Sequence, residues 1–439
     1  MPNTVTSPVR NKPWKVVLAS YAGNALEWYD FFLYATAAAL VLNKLFFPPA
    51  APLIGTLASL GTFAVGFLAR PIGGVIFAHF GDRIGRKKVL VVTLSLMGIS
   101  TFLIGVLPTY HQIGVWAPIL LVLLRVIQGA AVGGEWGGGV LLISEHVPAC
   151  RRGFYSSWSQ TGVVTGSVLS SLLFAGMQAM PSEQFLSWGW RIPFLLSILA
   201  AAIGLAIRSR ISEAPEFTEA TEQKRSRLPA WEAIRKYPRS VLITLGARLA
   251  ENGASYIFLT FSLAYGTHIG LGGNTVLIGV VVASAIEGLS MVGFGALSDR
   301  IGRRPVYLAG AIGLVVFAFP FFLLFDTRVP MNVWLALTIA VAGCHGAMIG
   351  TQPSFFSELF GANVRYSGMS LGHELASVIA GGLSPIIAVG LLGWAGSSWP
   401  VAVYLIVLGV LTAIAVFAAK ETRPGDRAPD KQALTEGAS

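Results

Sequence analysis

Gly81-Asp82-Arg83-Ile84-Gly85-Arg86-Lys87-Lys88 returns in the second half of the chain as Ser298-Asp299-Arg300-Ile301-Gly302-Arg303-Arg304-Pro305. Each copy lies between two long apolar runs, although charged residues make up only 12% of the 439 residues. Short charged turns between apolar runs mark the edges of a membrane, and two copies imply a duplicated helical bundle. Weaker echoes extend the match. Ser144-Glu145 ahead of Arg151-Arg152 parallels Ser357-Glu358 ahead of Arg365, and Ser212-Glu213 parallels Lys420-Glu421. The order is kept, so the repeat reads as a parallel six-plus-six duplication, with a working site expected between the halves.

Composition agrees. Hydrophobic residues reach 54% and mean hydropathy is +0.68, whereas soluble domains carry about 25% charged residues. Phe154 to Ser182 and Val329 to Ser357 contain no Asp, Glu, Lys or Arg, and Leu375 to Ala419 is long enough for two helices of about 20 residues. The pattern predicts twelve spans, at 15–42, 51–79, 89–108, 117–147, 154–180, 189–209, 240–266, 274–297, 305–325, 332–358, 366–393 and 399–420. All are expected to be helices, because lipid offers no partner to an open strand edge. The expected domains are a six-helix bundle over 1–209, a cytoplasmic linker over 210–239, a second bundle over 240–420 and a disordered tail over 421–439. Leu228 to Lys236 can form an amphipathic surface helix within the linker.

A net charge of +10 invites a nucleic-acid reading, but the charges are not spread as that requires. The Lys and Arg outside the segments assigned to the cytoplasm are Lys44, Arg70, Arg125, Arg191, Arg248 and Arg328. Such asymmetry is the positive-inside rule with both termini cytoplasmic. The basic balance therefore reports topology and no nucleic-acid partner. Two cysteines, Cys150 and Cys344, supply neither a disulfide framework nor a metal cluster. The first apolar run continues past Leu40 and is expected to be an uncleaved first helix. Gly81 to Lys88 lacks the Gly-Lys-Ser/Thr of a nucleotide loop, and no nucleophile motif or cofactor fingerprint occurs. No enzyme is indicated.

The repeated phrase resembles the signature of the major facilitator superfamily, G-x3-D-[RK]-x-G-[RK]-[RK]. Gly295, Asp299, Arg300, Gly302, Arg303 and Arg304 fit it fully; the first copy has Ala78 for the leading glycine. Arg125-Val126-Ile127-Gln128-Gly129 resembles the family's proton-coupling arginine motif. Further phrases resemble the metabolite:proton symporter family, and within it the shikimate and organic-acid type: Glu27-Trp28-Tyr29-Asp30-Phe31, Ala69-Arg70-Pro71-Ile72-Gly73-Gly74, Gly133-Gly134-Glu135-Trp136-Gly137-Gly138 and Trp188-Gly189-Trp190-Arg191-Ile192-Pro193-Phe194. The resemblance implies an all-α integral membrane fold of twelve transmembrane helices in two pseudo-symmetric six-helix bundles. It also implies a monomeric, multi-pass protein of the bacterial inner membrane that carries a small organic anion with protons. The fifth span has Gly162, Gly166 and Ser167 without the antiporters' Gly-Pro pair, which favours symport.

Charged side chains at helix centres cost about 2.5–3.5 kcal/mol each on insertion scales, so they need partners or water. Glu27, Asp30 and Tyr34 share one face of the first helix at i, i+3 and i+7. The alternative reading of Glu27 and Asp30 is an ion pair that only joins helices. Arg125 and Gln128 are i, i+3 on the fourth span; Arg248, Glu251 and Asn252 are i, i+3, i+4 on the seventh. A guanidinium can grip a carboxylate with two parallel bonds. Tyr34, Arg70, Arg125, Gln128, Arg191, Arg248 and Asn252 are therefore the candidate solute ligands, with the two arginine clusters expected to face one central cavity. Each arginine can equally be a permanent bridge to an acid, and Arg191 lies near enough to a span end to snorkel. Glu27, Asp30, Glu135, Glu251 and Glu374 are the candidate proton carriers, with Glu287 a further buried acid and His373 a lesser candidate. Asp82, Arg83, Gly85, Arg86, Glu145, Arg152, Asp299, Arg300, Gly302, Arg303, Glu358 and Arg365 form a candidate cytoplasmic gate. In the superfamily's pattern Asp82 and Asp299 hold a helix end from the other half, and the arginines engage Glu145 and Glu358. The zwitterions betaine and proline are the rival solutes.

Overall fold

Apolar runs this long wind into helices, and the structure, a computed structural model, describes them at residues 13–47, 52–209, 229–361 and 364–423. Those residues are helical almost throughout and contain no strand. The linker residues 210–228 and the tail from 424 lie outside them. Ten helices among the described residues are long and apolar enough to cross a membrane, or eleven if the bent pair Pro13–Ala37 and Leu40–Phe46 is one span. The remaining expected span, the seventh at 240–266, is helical from Pro238–Tyr256 through a π-helical turn at Ile257–Phe261 to Ser262–His268. It is too polar to qualify by composition because it carries Arg239, Arg248, Glu251 and Asn252; the last three are buried in protein.

Two glycines set the repeated turn. Gly85 (φ 108°) separates helix Pro52–Ile84 from Arg86–Val106, and Gly302 (φ 109°) separates Gly273–Ile301 from Arg303–Asp326. That backbone region excludes residues with a Cβ, so glycine alone turns the chain back within one residue.

The described residues form two compact units, which part from the sequence halves at two places. One unit takes Met1–His146, Trp158–Val241 and Ala362–Gly382; the other takes Val147–Ser157, Leu242–Gly361 and Leu383–Ser439. In the first unit, helices Pro52–Ile84 and Trp116–His146 approach backbone to backbone: a Cβ on Gly129 would overlap Gly66, and one on Gly133 would overlap Arg70. Small residues at a helix interface permit this contact, and it brings Arg70 and Arg125 to one seam. An aromatic core with Trp190 edge-on to Phe46 and Phe194 closes one end of that unit. In the second unit Phe258, Phe321, Phe322 and Phe325 pack around Phe261 and Tyr265. Large apolar side chains such as Leu172, Leu289 and Phe417 stay at least 65% exposed, as expected of surfaces in contact with lipid.

Candidate functional site

In the first unit the expected residues converge. Glu27, Asp30, Arg70, Arg125 and Gln128 line one cavity with Phe31, Gly66, Phe67, Gly129 and Val132. The cavity measures about 20 Å³, room for a single water. The first helix supplies both acids, Pro52–Ile84 supplies Arg70, and Trp116–His146 supplies Arg125 and Gln128.

The hydrogen bonds there run in one direction. Arg125 donates to Gln128 Oε1; Gln128 Nε2 donates to Thr101 Oγ1 at 2.7 Å; Thr101 donates to Asp30 Oδ2 at 2.7 Å. Gln128 Nε2 also lies 3.4 Å from Asp30 Oδ2. Asp30 is buried and its Oδ1 has no hydrogen-bond partner among the described residues. Glu27 Oε1 pairs with Arg70 Nη2 at 3.4 Å. The Arg125 guanidinium lies 3.9 Å from the centre of the Tyr34 ring, whose hydroxyl bonds Thr62. Arg70 covers Phe67 at 4.7 Å. The ionisable side chains lining the cavity, two acids and two arginines, sum to zero formal charge.

The other candidates fall elsewhere. Arg191 donates to the carbonyls of Gly105 (2.7 Å) and Leu107 (2.8 Å), capping the end of helix Arg86–Val106, away from the cavity. Glu135 bonds Arg208 and Thr93 and lines a separate small cavity with Ser20, Asn24 and Glu27. At the end of the expected span 189–209, Arg208 counts among the basic residues assigned to the cytoplasmic side; in the structure it is 2% exposed inside the bundle. A buried carboxylate needs a counter-charge, and Arg208 supplies it across 73 residues of sequence. His373 Nδ1 bonds Glu374 at 2.7 Å while its ring stacks on Trp136 at 3.6 Å.

In the second unit Arg248 Nη1 donates to Glu251 Oε2 at 2.7 Å and to Gln352 Oε1 at 2.8 Å. Gln352 Nε2 returns a bond to Glu251 Oε2 at 3.1 Å. His345, at the end of a π-helical turn over Ile339–His345, bonds Glu287 and points Nε2 at Glu251 Oε1, 3.5 Å away. Asn252 is buried beside this group, its Nδ2 without a partner among the described residues. Sequence spacing did not single out Thr101, Arg208, His345 or Gln352 as site residues.

At the repeated turn, Asp299 accepts the backbone N–H of Gly153 and Phe154, both at 2.9 Å, at the start of the short helix Arg152–Gln160. An anion at a helix N-terminus meets free N–H donors and a favourable dipole. Arg303 binds Asp299 at 2.5 Å and Glu358 at 3.4 Å, with Arg152 3.9 Å from Glu358. Glu421, placed at the head of the tail by its sequence, caps the backbone N–H of Arg303 (2.8 Å) and Arg304 (3.1 Å). Arg83 and Arg300 are exposed, Glu145 is buried and Arg365 is half-buried. The side chains of Asp82 and Arg86 lie outside the described residues.

Comparison with known proteins decides the family. A family model described as the Major Facilitator Superfamily matches residues 21–385. The chain belongs to that superfamily. It is 43% identical over 418 residues to the shikimate transporter of Escherichia coli K12, covering 93% of this chain and 95% of that one. It is 36% identical over 426 residues to the proline/betaine transporter of the same strain, covering 93% of this chain and 83% of that one. Its fold matches the solved proton:xylose symporter XylE with a TM-score of 0.75 at 17% identity, covering 94% and 96% of the two chains. The chain is thus a multi-pass membrane transporter of a small molecule and not an enzyme, and its architecture is the facilitator fold.

Proposed function

We propose that this facilitator imports a small organic anion of the shikimate, dicarboxylate or 2-oxo acid type together with a proton, by alternating access. One observation carries the reading: the cavity around Arg125 is lined by two acids and two arginines whose charges already cancel. A solute carboxylate arriving there leaves a net charge of −1 in a buried site, which is costly. A proton taken up by Asp30 restores the balance. Asp30 is the suitable acceptor because it forms no ion pair among the described residues, whereas Glu27 is already paired with Arg70. Withdrawal of Arg125 toward the solute further favours protonation, so solute and proton bind with positive, reciprocal coupling. The 43% identity to a shikimate transporter supports the solute class.

Betaine and proline are the second reading, supported by the 36% identity to a proline/betaine transporter. A quaternary ammonium favours bare aromatic faces, but Phe67 and Phe31 are already covered by the Arg70 guanidinium. That arrangement suits an anion better.

We assign both termini to the cytoplasm, and read Asp299, Arg303, Glu358 and Arg152 as a cytoplasmic gate whose contacts break when that side opens. Counterflow in proteoliposomes with radiolabelled shikimate, 2-oxoglutarate and betaine, alongside a trapped pH indicator, tests the assignment. Exchange of an organic acid is expected, and internal acidification when the same acid enters proteoliposomes that hold none. Exchange of betaine alone, or solute uptake with no proton movement, overturns it.

A further inference from the structure

We propose that His345 is a second proton-binding site, an imidazolium held between Glu287 and Glu251. A neutral imidazole has one N–H and one lone pair. Here both ring nitrogens face carboxylates: Nδ1 bonds Glu287, and Nε2 lies 3.5 Å from Glu251 Oε1. With Nδ1 donating, a neutral ring turns its Nε2 lone pair on an anionic oxygen. A proton added at Nε2 makes an N–H bond there and converts that repulsion into a charge-assisted contact. Release breaks the same bond and returns the neutral ring.

Charge points the same way. The ionisable groups paired with His345 are Glu251 from helix Pro238–Tyr256 and Glu287 from Gly273–Ile301; Glu251 in turn is bound by Arg248 and Gln352, and Gln352 donates to Tyr307 at 3.2 Å. Among the described residues, Arg248, Glu251 and Glu287 sum to −1, and an imidazolium makes this buried set neutral. The second oxygen of Glu251 is held by Arg248 and Gln352. Anything that draws Arg248 away from Glu251 therefore strengthens the hold on the proton, and loss of the proton strengthens the claim of Glu251 on Arg248. Proton occupancy of His345 and anion occupancy of Arg248 are thereby linked. This second part rests on the anion–proton reading above; the protonation itself does not.

Glu287→Gln is the decisive variant, because it leaves Arg248 and Glu251 balanced with a neutral ring. Infrared difference spectra of ring-labelled protein at pH 7.5, with the His345→Gln spectrum subtracted, isolate this histidine. The imidazolium bands are expected in the native protein and the neutral bands in Glu287→Gln; a neutral ring in the native protein overturns the site. In proteoliposomes Glu287→Gln is expected to lose accumulation driven by a pH gradient, at least tenfold, while solute counterflow persists. Native-level accumulation, or loss of counterflow along with accumulation, overturns the coupling. An imidazolium in a protein that moves no protons with any solute would retain the site and remove only the proposed function.

Discussion

Arg125→Lys separates charge from geometry at the proposed solute site. Lysine keeps the formal charge, so the cavity still sums to zero and insertion is unchanged. What disappears is the fork: one arm of Arg125 holds Gln128 while its plane rests on Tyr34, and a guanidinium holds its N–H groups in fixed directions that match a carboxylate. A lysine ammonium offers a compact point charge without that plane. Losing one charge-assisted hydrogen bond to a buried anion costs about 1.5–3 kcal/mol. At about 1.4 kcal/mol per decade this is roughly a 10- to 150-fold weakening of solute affinity. The assay is initial-rate uptake of radiolabelled organic acid across a concentration series in proteoliposomes, with protein amount fixed by immunoblot. An affinity within about threefold of native, in a protein that melts normally, refutes Arg125 as the carboxylate ligand.

Asp30→Asn fixes a neutral group where the proton is proposed to bind; accumulation driven by a pH gradient should vanish while counterflow continues, and gradient-driven accumulation in this variant excludes Asp30 as the carrier. Glu135→Gln leaves Arg208 buried without its counter-charge, a loss of about 3–5 kcal/mol, read as a melting midpoint lower by roughly 10 °C; replacing both partners with Leu and Met should recover part of it, and equal midpoints for single and double variants argue against the pair. Gly302→Ala forces a Cβ into φ 109°, where it would lie 2.6 Å from Glu421 Oε2, at about 1–3 kcal/mol. Gly293→Ala, with nothing within 4 Å of its new Cβ, is the control and should melt as the native protein does.

The repeated turn, the uncharged runs and the intrahelical pairs were legible in the residues because each depends on neighbours along one strand of chain. Arg125 with Gln128 and Arg248 with Glu251 are three apart on a helix, so their contact follows from helical pitch alone. Arg191 misled: its phrase matches a family motif, yet in space it caps the helix end at Gly105 and Leu107. Arg208 misled in the opposite sense, since a basic residue at the end of an apolar run looks like a topology signal. The polar composition of Pro238–Tyr256 weakens it as an apolar span by the same property that makes it interesting, the burial of Arg248, Glu251 and Asn252 within its unit.

Hydrophobicity and period are one-dimensional quantities, so the chain alone determined that it is helical, duplicated and built for a membrane, and which side chains share a helix face. Which acid meets which base is settled by how neighbouring helices are rotated and how closely they approach. That is why Thr101 at Asp30, Arg208 at Glu135 and His345 between Glu287 and Glu251 became visible only in three dimensions. Low dielectric makes those pairings decisive, because an ionised group in such surroundings persists only where packing has delivered a partner.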